Sequence, residues 1–319
     1  MKTEEKVVDP NLLSSHEGNW HVLVFGLPLA ILNYTLGSGL SICRLNSLLS
    51  VFDLAAAGAA GFREWAVLEP MTRGCVSEIE SAKDSAITPG YSHSGRAWLA
   101  SALVVLRGYT RHLCVAISSY SWNLVAGITE RNLAKAQSRD GNRGEPEKLP
   151  SFKGGLLDYH VRFLTDGRRD YDQLDEPSSE WVRRHFEVAN RLASQHEGFR
   201  FSLEAVMDWR YQSEPRSAVA RIWSGLETFF GVQTEVAYRV SIGLASLLQA
   251  RGPARKAKFK AVRELYDLRS KIVHGDPVES DKLFKALADS YDLLREMLIL
   301  TIERGAPFTK QEVEDVILT

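Results

Sequence analysis

The chain has 319 residues, of which 45% are hydrophobic and 25% charged, with a formal net charge of −1. That length suffices for two domains or one large one with a sizeable core, and the composition is that of a soluble globular protein. The near-zero charge excludes a surface generally coated with nucleic-acid-binding cations, while leaving room for a local basic site.

Residues 1–20 are polar and mildly acidic and lack the basic start and apolar core of a signal peptide. The longest apolar runs, 22–32 and 97–106, are too short to span a bilayer, so no membrane partner is expected. Cys43, Cys75 and Cys114 lie far apart with no C-x-x-C, and the eight histidines are scattered. This spacing speaks against a disulfide framework or a zinc site and fits a reducing cytoplasm.

Residues 21–25 are rich in β-branched and aromatic side chains and read as a strand; 29–34 and 40–45 are two further strand candidates around the turn Gly37-Ser38-Gly39. A Leu/Ala-rich helix is expected over 47–60, a strand over 64–68, a short helix over 73–83, a loop over 88–95 and a helix over 96–107. Strand-like composition returns at 110–117, and 120–125 reads as a continuation of the sheet. Two polar stretches without periodicity, 135–152 and 165–177, bracket the expected domain boundary.

After Pro177 the pattern is helical. Ser178 or Ser179 caps a helix to about 194, and a second covers 199–209. Ser213 opens a third, in which Val219, Ile222, Trp223, Leu226, Phe229 and Phe230 recur at helical spacing. Helices over 236–250 and 254–274, a long one opened by Ser280 or Asp281, and a short one over 309–318 complete the chain. The fold class is therefore α+β: a mixed N-terminal region over residues 1–170, then an all-α bundle within 178–319.

The helix over 254–274 carries the chemistry. Phe259, Val262, Leu265, Tyr266, Leu268, Ile272 and Val273 fall on one half of its wheel, and Arg269 falls in the middle of that half. A guanidinium cannot be neutralised, so in such a place it needs a partner or a bound anion. His274 stands where the helix stops, before Gly275, a favoured left-handed cap, and Asp276-Pro277. Together they set a fixed cation and a titratable imidazole at one helix end, a combination suited to a phosphodiester. Residues 251–275 hold eight basic against two acidic side chains, and residues 276–319 five against ten. The two charge blocks can neutralise one another, or the basic run can attract a phosphate chain. Glu227, at the edge of its helix's apolar stripe, reads as the ion-pair partner of Arg269 or as a group that orients Arg269 or His274. Trp223 and Tyr266 read as core packing.

The run Arg269-Ser270-Lys271-Ile272-Val273-His274-Gly275 after Leu265-Tyr266 resembles the signature of the HEPN domain superfamily, and most of all its ApeA-like group. The segments 220–230 (with Leu226-Glu227), 237–241 and 244–248 resemble that group's earlier helices, so the likeness covers about residues 214–303. It implies a helical bundle that forms a homodimer with the Arg/His pairs of two subunits facing one cleft. It further implies a metal-independent endoribonuclease without cofactor, of the kind that recurs in antiviral defence and toxin–antitoxin systems. RNA is then the substrate, and an antitoxin or regulatory protein a partner. By the resemblance, His274 is the general acid/base at the RNA 2′-OH or leaving oxygen, and Arg269 holds the phosphate. Glu227, Ser270 and Lys271 stand in support. Ser270 departs from the Asn, Asp or His of the toxin branches. Two alternatives therefore stay open: a non-catalytic HEPN module that binds RNA or a protein, and a purely structural Arg269–Glu227 pair.

Overall fold

Antiparallel pairing organises the N-terminal half. The computed structural model describes residues 18–58, 65–82, 95–137, 145–157, 164, 173–231 and 234–318. Strands β1 (Trp20–Phe25), β2 (Asn33–Gly37) and β3 (Leu40–Arg44) precede helix α1 (Val51–Ala57) and a 3-10 segment at Ala66–Gly74. Strand β4 (Cys75–Ser81), α2 (Gly95–Leu106), β5 (Leu113–Ser118), α3 (Trp122–Val125), α4 (Ile128–Gln137) and β6 (Gly154–Leu156) follow. The six strands form one antiparallel sheet in the order β2-β3-β4-β1-β5-β6. Then come α5 (Glu176–Gln195), α6 (Glu197–Asp208), a 3-10 turn (Trp209–Tyr211), α7 (Pro215–Thr228), α8 (Val236–Leu248), α9 (Pro253–His274), α10 (Ser280–Arg304) and α11 (Lys310–Leu318). The protein is an α+β protein. It divides into one unit of Met1–Val104, Arg111–Val161 and Tyr171–Phe186 and another of Val105–Thr110, Arg162–Asp170 and Glu187–Thr319.

In the first unit, β1 lies between β4 and β5, and Val22, Leu23 and Val24 are wholly buried. Arg96 donates from Nη2 to Ser38 O at 2.6 Å and stands 4.7 Å over the Phe186 ring. Gly37 leaves room for that ring, which lies 3.0 Å from where a Cβ would be. Glu78 of β4 is buried, and a buried carboxylate must be given donors. It receives Ser121 Oγ–H at 2.6 Å, Cys43 Sγ–H at 3.4 Å and the Trp122 backbone N–H.

That carboxylate explains one departure from the sequence expectation. Residues 120–125 do not extend the sheet: Ser121 caps the short helix α3, and Glu78 accepts from its first turn. The strand and helix expected over 64–68 and 73–83 are also exchanged. The segment at Ala66–Gly74 contains Pro70 and coils as a 3-10 helix, whereas β4 is paired on both sides, with β1 and β3. Helix α1 starts at Val51 rather than 47, because Ser50 and Asp53 close a reciprocal capping box. The strand expected over 29–34 sits at Asn33–Gly37 instead. Helix α4 continues to Gln137, inside the stretch read as loop. The cap of α5 is Asp175, whose Oδ1 accepts from Ser178 N–H at 2.8 Å, and Pro177 sits in the first turn. The expected loop over 88–94 lies outside the described residues.

In the second unit α7 packs against α6, α9 and α10. Val219, Ile222, Trp223 and Leu226 are fully buried along it, and Trp223 Nε1 donates to Ser290 Oγ of α10 at 2.9 Å. Burying a large apolar side chain is worth about 1.5–3 kcal/mol, against about 0–1 kcal/mol for an exposed ion pair. Apolar packing therefore sets where α7 lies. Gly225 permits its closeness to α6: an added Cβ would stand 2.8 Å from Ala205 Cβ, and Ser202 Oγ donates to Gly225 O at 2.8 Å. The helix opens at Pro215 with Glu214 as cap residue, not Ser213, and Phe229 and Phe230 lie beyond its end.

Candidate functional site

Helix α9 ends as its sequence requires. Gly275 takes the left-handed conformation, with φ of 85° and ψ of 10°. Its N–H bonds Ile272 O at 3.3 Å, and Asp276 N–H bonds Lys271 O at 3.0 Å. Only Val262 and Ile272 of this 22-residue helix are buried.

Arg269 lies half-buried one turn before that end. Its Nη2 is 3.1 Å from Glu227 Oε1 of α7, the ion pair anticipated from the helical wheel. The same carboxylate oxygen accepts the Tyr266 hydroxyl at 3.0 Å. The Arg269 guanidinium carbon is 5.2 Å from the Tyr266 ring centre, and that ring meets Trp223 edge-on at 5.0 Å. Burial pushes the Tyr266 hydroxyl above its ordinary pKa, and the bond to Glu227 adds to this, so it remains a donor. Arg269 Nε is buried without an acceptor, so one carboxylate does not saturate the guanidinium.

The remaining predicted residues are not drawn into this cluster. His274 is exposed, and no hydrogen bond or ion pair among the described residues joins it to Arg269, Glu227, Ser270 or Lys271. Five residues of helix separate Arg269 from His274 by about 7.5 Å along the axis and about 140° around it. Within one chain they therefore lie on different faces. Ser270 is half-buried, and Lys271 is exposed.

Much of the basic run is neutralised. Lys258 Nζ pairs with Glu296 of α10 at 2.8 Å, Lys260 with Glu264 at 3.8 Å, and Arg263 with Asp267 at 3.5 Å. Arg255 donates to Gln249 O and Val316 O. Lys256 and Lys271 are exposed, with no ion pair among the described residues.

Arg216, to which the sequence by itself assigns no role, reaches the same helix end. From the first turn of α7 its Nη1 donates to Ile272 O and its Nη2 to Asp276 O, each at 2.9 Å. One signal could have disclosed it. A cation beside Pro215 at a helix N-terminus opposes that helix's own dipole, which makes a partner outside the helix the favourable arrangement.

Among the described residues no three His, Cys, Asp or Glu side chains gather as a metal site would need. No helix among them is long and apolar enough to cross a membrane. No family model, curated protein or solved structure matches the chain.

Proposed function

We propose that this protein is a metal-independent endoribonuclease of HEPN type that works as a homodimer in antiviral defence or a toxin-like system. The observation that carries this is the end of α9: a half-buried guanidinium held by a single carboxylate, one turn before an exposed imidazole at a left-handed helix cap. Arg269 binds a phosphodiester oxygen and offsets the charge that develops there. His274 takes the proton of the neighbouring 2′-OH or returns one to the departing 5′ oxygen. The 2′ oxygen bonds to phosphorus, the P–O5′ bond breaks, and the products carry a 2′,3′-cyclic phosphate and a 5′-hydroxyl. Because Arg269 and His274 lie about 140° apart around the helix, this reading requires a composite cleft in which a second copy supplies the complementary pair. Lys271 and the exposed Lys256 are suited to further phosphates.

The test is induced expression in bacteria of wild type, Arg269→Ala and His274→Ala, followed by cleavage assays with the purified proteins on RNA. Growth arrest and RNA fragmentation confined to wild type are expected. Equal cleavage by wild type and His274→Ala would overturn the assignment.

A second reading, a HEPN module that binds RNA or a protein without cutting it, is favoured by the Glu227 carboxylate on Arg269 and by a plain hydroxyl at Ser270. It expects Lys256→Glu with Lys260→Glu to weaken RNA binding while His274→Ala leaves binding and function intact.

A further inference from the structure

We infer that Arg216 is a positioning residue for His274, an inference that rests on the ribonuclease reading. Its two hydrogen bonds reach the carbonyls of Ile272 and Asp276, two residues before and two residues after the histidine. One planar fork thus spans the reversal that carries the imidazole. Residues 273–277 are all exposed, so apolar packing does not fix them. The turn's own bonds, Gly275 N–H to Ile272 O and Asp276 N–H to Lys271 O, tie it only to the helix it ends. Among the described residues the only side-chain hydrogen bonds into 272–277 come from Arg216, and they anchor the turn to α7. That helix also holds Glu227, the partner of Arg269. Arg216 at one end of α7 and Glu227 near the other therefore set both members of the Arg/His pair against the same rigid element.

Electrostatics agrees with this geometry. Arg216 lies in the first turn of α7, where a cation opposes the local dipole, and it points its charge at the negative end of α9, where a cation is favourable. The two bonds come from two separate nitrogens of one planar group, whereas the single nitrogen of a lysine ammonium would have to reach both carbonyls from one point.

The experiment uses the purified full chain and compares wild type, Arg216→Ala, Arg216→Lys and His274→Ala. It measures kcat and KM on a short RNA, melting temperature, and the imidazole ring signals of His274 with 13C-labelled histidine. Arg216→Ala is expected to lower kcat by about tenfold or more with KM within about twofold, because misplacing a catalytic group costs rate rather than binding. Its His274 ring signals should shift from their wild-type positions, and Arg216→Lys should fall between in both measurements. Wild-type cleavage with an unchanged kcat in Arg216→Ala overturns the inference and leaves the ribonuclease standing, as does a rise in KM alone. Wild type that cleaves no better than His274→Ala overturns the ribonuclease reading, and the positioning role falls with it. Should Arg216→Ala fail to fold, Arg216→Lys carries the test: kcat and ring signals equal to wild type would overturn the inference.

Discussion

Glu227 Oε1 lies between two partners on α9, 3.1 Å from Arg269 Nη2 and 3.0 Å from the Tyr266 hydroxyl. The carboxylate is shared, so Arg269 is held without being fully used. Both charged side chains keep about a quarter of their surface in solvent, which screens the pair. A double-mutant cycle of Arg269→Ala and Glu227→Gln should give a coupling of about 0.5–1 kcal/mol in urea unfolding. A coupling several times larger would mark Arg269 as a core ion pair rather than a group available to an anion.

Tyr266→Phe removes the hydroxyl and keeps the ring against Trp223 and Arg269. The lost hydrogen bond should cost about 1 kcal/mol of stability. If the ribonuclease reading holds, Glu227 then engages Arg269 more fully, and KM for RNA should rise.

Gly225→Ala tests the contact of α6 with α7. Alanine suits a helix better than glycine, by about 1 kcal/mol. Here the new methyl would meet Ala205 Cβ at 2.8 Å, with Ser202 Cα next at 3.4 Å, and neither neighbour has a flexible end to withdraw. Overpacking should win, with a net loss of about 1–2 kcal/mol in denaturant unfolding. A variant as stable as wild type would contradict the packing described.

Helix α11 is hooked by Glu312, which accepts the Thr309 backbone N–H at 2.8 Å and its hydroxyl at 2.9 Å and pairs with Arg304. These donors lower its carboxyl from 4.5 to about 2. A lowered folded-state pKa contributes stability above the unfolded value that is lost as pH falls through the folded one. The amides of residues 310–318 should therefore gain exchange on acidification from about pH 4.5 to about 2, whereas Glu312→Gln should show no such step in that window.

Burial pushes the thiols of Cys43 and Cys75 up to about 12, with the Glu78 carboxylate adding to the effect at Cys43. Thiolate is the reactive form, so neither should alkylate appreciably in the native protein at neutral pH, as peptide mass spectrometry would show. Rapid labelling of Cys43 would contradict its placement against Glu78.

The helices of the second half were legible in the sequence because their signals are local. Apolar spacing marks a face, and Gly275 and Gly305 stop α9 and α10 in the left-handed conformation that glycine takes without a Cβ clash. The α+β class and the Glu227–Arg269 pairing could be read in the same way, from period and from charge within an apolar stripe. Residues 64–83 could not. Whether Ala66–Gly74 or Cys75–Ser81 is the strand depends on β1 and β3, which supply the hydrogen bonds from more than thirty residues away. Nor could residues 120–125, where a buried carboxylate on another strand captures Ser121 and Trp122. The reach of Arg216 to both sides of His274 spans 56 and 60 residues and follows from the packing of α7 on α9. Periodicity and cap chemistry determine which residues form a helix and where it ends. Which backbone carbonyls a distant guanidinium meets is decided only when the helices are brought together by burial of their apolar faces.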